Sequence, residues 1–439
     1  MRAGESLVPM TPDMLKRIFD EAGPDFSAEV SPAASLADLD PEAVSRFRTM
    51  WRRKSGNPDL DRLSDEQLLR DAELLVDAGV TYAALILLGA ERPLGRLLAQ
   101  AETIFEYRSS EASIPFQQRI EYRKGFLLYL DALWETINLR NDIQHYQDGL
   151  FIWDIATFNE SAVREAILNA VSHRDYRHPG SVFVRQFPRR IEIVSPGGFP
   201  PGITRENVLQ AQFPRNRRVA ETLARCGLVE RSGQGMDRMF KSAIEETKPQ
   251  PDFTRTDAFQ VALTLRGEVQ DARFLRFLEQ IGQEQIARFT IQDLLVLDLV
   301  HREQRIPVEL RSCLPPLIAQ GVVESTGRGR GTRHMLSRRF YDFVGERGVY
   351  TRKRGLDHET NKALLLKHID DSGQQGSPLE ELRQVLPALS DGQLKVLIRA
   401  LRADGAIHAR GRTRAGRWFP GPDPALMPAQ ADDDPNRSQ

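Results

Sequence analysis

From Asn159 to Leu265 the chain changes periodicity in a fixed order: helix, strand, short turn, strand, glycine-rich loop, helix, second glycine-bearing loop, helix and a final strand. This order constrains the fold more than any other feature and predicts a two-layer α/β unit. Its first helix, Asn159–His173, has two unlike faces when residues are set about 100° apart. Val163, Ala166, Ile167, Ala170 and Val171 form an apolar stripe. Glu165, Asn169 and His173 follow at i, i+4 and i+8, which stacks a carboxylate, a carboxamide and an imidazole along one ridge. Such a ridge is either a solvated face or one wall of a site, and the helix alone does not choose.

The segments that follow bear on that choice. The strand-like runs Val182–Gln186 and Ile191–Val194 are separated by Phe187–Arg190, and the second leads into Ser195-Pro-Gly-Gly-Phe-Pro-Pro-Gly202. Glycine permits positive φ and has no Cβ, so a strand ending in such a loop can bring backbone N–H groups close to an anion. A second loop, Gly227–Met236, precedes a helix from Asp237, whose amides and dipole suit a phosphate. Each loop alone is more often a plain turn. The pattern Gly-x-x-x-x-Gly-Lys-Ser/Thr is absent from the chain, which argues against a P-loop ATPase or helicase motor.

The 439 residues suffice for three or four compact units at roughly 100–200 residues each. Hydrophobic residues at 41% and charged residues at 28% are ordinary globular values, which excludes wholesale disorder and fibrous architectures. The longest nearly uncharged apolar run, around Gly79–Ala90, is far short of the roughly 20 residues a membrane helix needs. The N-terminus lacks a basic-then-apolar signal, so a cytoplasmic location without membrane contact is expected. Cys226 and Cys313 have no metal-ligand spacing and read as buried thiols. Net charge is −1, yet arginine supplies 51 of 60 basic residues, giving many planar forks suited to phosphate.

Six segments are expected. Residues 1–34, rich in Pro, Ala, Ser and acids, read as a remnant or linker. Residues 35–150 read as a mixed α/β connecting module, with helices at Glu66–Leu75 and Glu121–Leu139 and strands at Ala83–Leu88 and Thr103–Tyr107. The two-layer unit occupies 151–268. Residues 269–350 and 351–422 look alike, and 423–439 form a tail with nothing to bury. In the first of the paired blocks, helices around Gln292–Arg302 and Val308–Gln320 precede a hairpin, Val322–Leu336, containing Arg328, Arg330 and Arg333. In the second, Ser390–Arg402 is a candidate recognition helix, followed by Arg410, Arg412, Arg414 and Arg417. Both blocks resemble winged helix-turn-helix domains. Glycines between arginines let such a hairpin approach a phosphate backbone or enter a narrow minor groove. Winged helices also make protein contacts, and arginine-rich hairpins can be merely solvated.

The run Arg164-Glu-Ala-Ile-Leu-Asn-Ala-Val-Ser-His-Arg-Asp-Tyr176, followed by Ile191–Gly202 and Gly227–Met239, resembles the ATPase domain of gyrase, MutL and histidine kinases. More closely, the chain resembles bacterial and archaeal transcriptional regulators that join a Schlafen-type AlbA-like domain, this divergent ATPase domain and C-terminal winged helices, often under a RecG-related label. The likeness spans most of residues 35–420. It implies an α+β multidomain fold in which a two-layer α/β Bergerat-like ATPase domain of the histidine-kinase type precedes tandem winged helix-turn-helix domains. Glu165 then matches the glutamate that orients and deprotonates the attacking water, and Asn169 the asparagine whose side-chain oxygen binds Mg²⁺. Gly197, Gly198 and Gly202 match the first glycine box, and Gly233 and Gly235 the second, beside a mobile lid at Gln212–Arg218. Ser195 stands where active members carry the aspartate that accepts the adenine amino group. A neutral hydroxyl is roughly half as strong an acceptor, so binding is more expected than turnover. His173, Arg174 and Asp175 are expected as structural ties at the helix end. Arg2–Glu21 resembles only the last segment of the AlbA-like domain, so most of that domain is expected to be missing.

The expected function is therefore that of an ATP-binding, DNA-binding transcriptional regulator in which nucleotide binding adjusts winged-helix contacts. ATP and Mg²⁺ are the expected cofactors, and double-stranded DNA the expected partner. A slow Mg²⁺-dependent ATPase in DNA transactions or phage defence is the first alternative, and an assembly scaffold with a degenerate ATPase fold the second. A homo-oligomer is compatible with each.

Overall fold

The computed structural model describes residues 2–3, 6–7, 25–112, 114–148, 151–200, 202–209, 213–229, 234–285, 289–326, 332–344, 350, 358–387, 389–411 and 416–421. The chain divides into two compact units, Met1–Asp298 and Leu299–Gln439.

The first unit is organised by a mixed five-stranded sheet. Its strands are β1 (Thr103–Tyr107), β2 (Gln118–Tyr122), β3 (Val182–Gln186), β4 (Arg190–Pro196) and β5 (Gln260–Arg266), in the spatial order β5-β4-β3-β1-β2. Only β1 and β3 run parallel; the other neighbours are antiparallel. Val182 and Val184 of β3 and Ile191 and Ile193 of β4 alternate onto one buried face. The helix Glu160–Ser172 lies on that face, and two earlier helices pack in the same unit. Of those, α1 (Pro41–Ser55) is started by Asp40, whose Oδ1 accepts from the amides of Glu42 and Ala43. The other, α2 (Tyr82–Leu88), is buried from Ala83 to Leu88.

Helix α3 (Glu160–Ser172) forms where the heptad-like pattern predicts it. Asn159 is its N-cap, accepting from the amide of Ala162, and His173 its C-cap. The apolar stripe is buried as expected, but so is Glu165, 4% exposed. The ridge is therefore not a solvated face. Two further helices cover it: α4 (Arg217–Arg225) and α5 (Gln234–Glu245). Helix Ala272–Gln285 packs on α5 within the same unit.

Several expectations are corrected. Ala83–Leu88 is helix rather than strand: Thr81 Oγ1 caps it by accepting from the amide of Ala84, and a short apolar run buried on every side carries no period to separate the two. The expected helix Glu121–Leu139 is strand to Tyr122, a 3₁₀ turn at Phe126–Leu128 and a helix only over Leu130–Asn138. The break falls at Gly125, where a Cβ would lie 2.6 Å from the carbonyl oxygen of Leu87. Strands on either side of residue 150 share one sheet, so that expected boundary does not separate two sheets. The two compact units part after Asp298.

In the second unit, the 3₁₀ stretch Val308–Cys313 and the short helix Leu314–Ala319 stand where one helix, Val308–Gln320, was expected. Pro315 and Pro316 occupy the first turn, the one place in a helix where a missing N–H costs little. Val323–Thr326 pairs with Arg333–Leu336 as a hairpin. The second block runs helix His358–Ser372, strand Ser377–Pro378, helices Leu379–Val385 and Asp391–Ala403, then strands Ile407–Arg410 and Arg417–Pro420. The first strand pairs with the last, which pairs with Ile407–Arg410. Leu365, Ile369, Leu382, Leu394, Ile398 and Leu401 lie in one buried cluster beneath them. Cys226 and Cys313 are buried and form no disulfide. Among the described residues no helix is long and apolar enough to cross a membrane.

Candidate functional site

A cavity of about 490 Å³ opens in the first unit between α3, the loop after β4, α4 and the start of α5. The whole ridge predicted on α3 reaches it: Glu165, Asn169 and His173 all line the wall. Ser195, Gly198 and Gly235 line it as well, so one cavity gathers parts of both glycine loops and the ridge. Gly197 and Gly202 lie in the first loop but not on the wall. Gly233 lies outside the described residues, as do Arg328, Arg330, Arg412 and Arg414.

Each polar group has defined neighbours. Asn169 Nδ2 donates to Glu165 Oε1 at 3.2 Å, as i and i+4 positions on one helix face permit. Gly235 lies directly over this carboxylate: all three of its terminal atoms are within 3.0 Å of where a Cβ at residue 235 would sit. A side chain at 235 would therefore displace this carboxylate. At residue 197 glycine is required twice, because φ is +89° and a Cβ would stand 2.6 Å from Asp175 Cβ. Ser195 is 5% exposed and its Oγ donates to the carbonyl of Ala170 at 2.7 Å. With its hydrogen so directed, the hydroxyl presents lone pairs to the cavity.

The remaining wall is mostly apolar, with Phe199, Phe213, Met236, Met239, Phe253 and Leu263 among its residues. Phe199 and Phe253 pack ring to ring at 5.7 Å. On α4, Arg217 Nε donates to Glu221 Oε1 at 2.8 Å at the edge of the cavity. His173 is held neutral: exclusion of water from the ring, helped by the nearby Arg215 guanidinium, pushes its pKa down to about 4.

In the segment expected to be a mobile lid, Gln212–Arg218, the structure anchors Arg215, Asn216 and Arg218; Gln212 itself lies outside the described residues. Arg215 donates to the carbonyls of His173 at 2.9 Å and Gly198 at 2.8 Å, linking the end of α3 to the first glycine loop. Asn216, 1% exposed, donates to the carbonyls of Ser172 and Arg174. Sequence reasoning missed both residues as structural anchors. Their only signal was position, two polar side chains before a helix, and that pattern ordinarily reads as an N-cap. Arg174 is a structural tie, as expected: it is buried, donates to backbone carbonyls of Asp175 and His178, and lies 4.8 Å from the Tyr176 ring.

In the second unit, Arg333 and Arg410 are exposed, and Arg410 stacks over Phe419. Arg417 donates through Nη1 to the carbonyls of Gln375 and Gly376, which anchors it to its own block. Helix Asp391–Ala403 exposes Lys395, Arg399 and Arg402.

Comparison with known proteins agrees with the cavity's location. Residues 180–264, which carry β3, β4, α4, α5 and β5, match the family described as "Putative ATP-dependent DNA helicase recG C-terminal", an ATPase-type domain. Residues 16–104 match a family described only as a domain of unknown function. The crystal structure of the DIP2311 protein from Corynebacterium diphtheriae is similar in fold, with a TM-score of 0.59 and 24% identity over 79% of this chain and 71% of that one. No curated protein matches. The chain thus carries an ATPase-like domain whose two glycine loops border the cavity.

Proposed function

We propose that the first unit binds ATP with Mg²⁺ in this cavity, and that the protein is a DNA-binding transcriptional regulator whose winged helices respond to occupancy. The observation that carries this reading is the meeting of Glu165, Asn169 and both glycine loops on one cavity, inside and beside an ATPase-type match. About 490 Å³ falls within the roughly 300–1,000 Å³ of small-molecule sites. An apolar wall suits a base and sugar, and glycine-lined amides suit phosphates. The residues also fit Mg²⁺. With Nδ2 directed at Glu165, Asn169 keeps Oδ1 as a hard oxygen donor, and a Mg²⁺ ion that retains waters and bridges phosphates needs few protein ligands. Once bound, the ion supplies charge neutralisation across the phosphates. Ser195 offers an acceptor to an amino group on the base.

The DNA-binding part rests on the second unit. Its second block has the helix, strand, helix, helix, hairpin order of a winged helix, with Lys395, Arg399 and Arg402 exposed on the helix that would enter the major groove. Arg333 and Arg410 sit on the hairpins. Coupling requires only that nucleotide prefer one arrangement of the protein over another.

The test is a titration with ATP, ADP and GTP, with and without Mg²⁺, read by intrinsic fluorescence and repeated on Asn169→Ala. Tighter binding with Mg²⁺ that is lost in the variant supports the site; equal binding in all conditions, or none, overturns it. The burial of Glu165 beside Asn169 also favours a second reading, slow ATP hydrolysis with Glu165 as general base. Phosphate release by the wild type that disappears in Glu165→Gln would establish it.

A further inference from the structure

Helix α4 forms one wall of the cavity, yet its own N-cap residue does not cap it. The side chain of Asn216 makes no capping hydrogen bond and is directed instead at the end of α3. The first-turn amides that an N-cap ordinarily satisfies are those of the second and third helical residues, here Arg218 and Val219. Both are satisfied from a segment about 190 residues earlier in the chain. Arg218 N donates to Asp25 Oδ2 at 2.8 Å, and Val219 N donates to Ser27 Oγ at 3.3 Å. The two acceptors are locked to each other, because Ser27 donates to Asp25 Oδ1 through both its hydroxyl, at 2.7 Å, and its amide, at 2.9 Å. Ser27 is fully buried.

The same turn grips the opposite wall. Phe26 stacks on Tyr82 of α2 with centroids 4.5 Å apart and lies 6.4 Å from Tyr176. Tyr176 in turn donates to the carbonyl of Val171 on α3. Arg177 closes the contact, lying over the Phe26 ring and pairing with Glu29 at 2.7 Å.

We infer that Asp25 and Ser27 are positioning residues for the cavity: a cap supplied from the N-terminal segment fixes α4 and thereby the wall that carries Arg217, Glu221 and Ala224. A carboxylate at the N-terminus of α4 also meets the positive end of its dipole. The inference gives part of the segment that matches a domain of unknown function a task, and it rests on the reading of the cavity as a nucleotide site.

The experiment uses the full chain with Asp25→Ala, Ser27→Ala and Asp25→Asn. Amide hydrogen exchange is followed across residues 217–225, and affinity is measured with MgATP. In Asp25→Ala, exchange at Arg218 and Val219 should rise roughly 2- to 30-fold, the factor that loss of a cap implies. MgATP affinity should fall by a factor in the same range. Asp25→Asn keeps one acceptor oxygen for Arg218 N but turns an NH2 group toward the Ser27 amide, so it should recover part of both effects, and Ser27→Ala should act mainly at Val219. Unchanged exchange in Asp25→Ala overturns the cap. Faster exchange with unchanged MgATP affinity overturns the positioning role. Absence of MgATP binding by the wild type would instead defeat the nucleotide reading, and exchange across 220–225 would then decide whether the cap holds the wall.

Discussion

Adding one methyl group at residue 235 tests the packing on which the site depends. In Gly235→Ala the new Cβ would enter the space of the Glu165 carboxylate, all of whose terminal atoms lie within 3.0 Å of it. The carboxylate is the far end of a flexible side chain on α3 and borders the cavity, so it can turn aside, but only by leaving its hydrogen bond with Asn169. Loss of that bond and a less favourable rotamer together cost about 1–3 kcal/mol. Exchange of glycine for alanine in a helix returns about 1 kcal/mol, which leaves a net loss of about 0–2 kcal/mol. At about 2–4 °C per kcal/mol for a unit of this size, Tm should fall by up to about 8 °C. The decisive assay is a double-mutant cycle in urea with Gly235→Ala, Glu165→Ala and the pair. With the carboxylate gone the methyl group has space, so the cycle should return a coupling energy of about 1–3 kcal/mol, with the pair more stable than additivity predicts. A Gly235→Ala protein whose cost is the same with or without Glu165 would refute the proposed contact.

Other outcomes follow from the same geometry. The native His173 ring stays neutral down to about pH 4, whereas an unfolded imidazole takes up its proton near 6.5. Between those values the unfolded state binds more protons, so stability should fall with pH through that window by at most about 3 kcal/mol; urea unfolding at pH 7, 5.5 and 4.5 should show the slope, and His173→Asn should flatten it. Removing the two-carbonyl clamp in Arg215→Ala should cost on the order of 2–3 kcal/mol in the same assay, and Arg215→Lys should recover only part, because an ammonium cannot span both oxygens as a planar fork does. For DNA, Arg399→Ala should lower affinity for duplexes of any sequence if it contacts phosphate, reducing the salt slope by about 1; an unchanged slope with altered sequence preference would place it on a base edge instead.

The site was legible where local periodicity carries chemistry. Glu165, Asn169 and His173 share a helix face because 3.6 residues make a turn, and the cavity receives all three. Periodicity failed where burial was complete: Ala83–Leu88 is apolar throughout and shows no face, so its helical state depended on the Thr81 cap and on packing from all sides. It failed again at Glu121–Leu139, where a close backbone approach at Gly125 ends one element and starts another. The segment before α4 was expected to be mobile because the family resemblance implies a lid there. Its order comes from Arg215 and Asn216 finding carbonyls on α3 and the first glycine loop, partners that no local pattern names.

By itself, the order of residues determined the type and succession of the elements around the glycine loops, the face of α3 that carries polar groups, and the glycines that allow close approach. These are properties of neighbours along the chain, fixed by backbone sterics and side-chain spacing. Tertiary structure alone decided that Glu165 is buried at a cavity wall rather than on an open surface, that Ser195 points its hydrogen at Ala170, and that Asp25 caps a helix beginning at Arg217. Each of these depends on which groups lose water together when distant segments pack, and that selection is made in space rather than along the sequence.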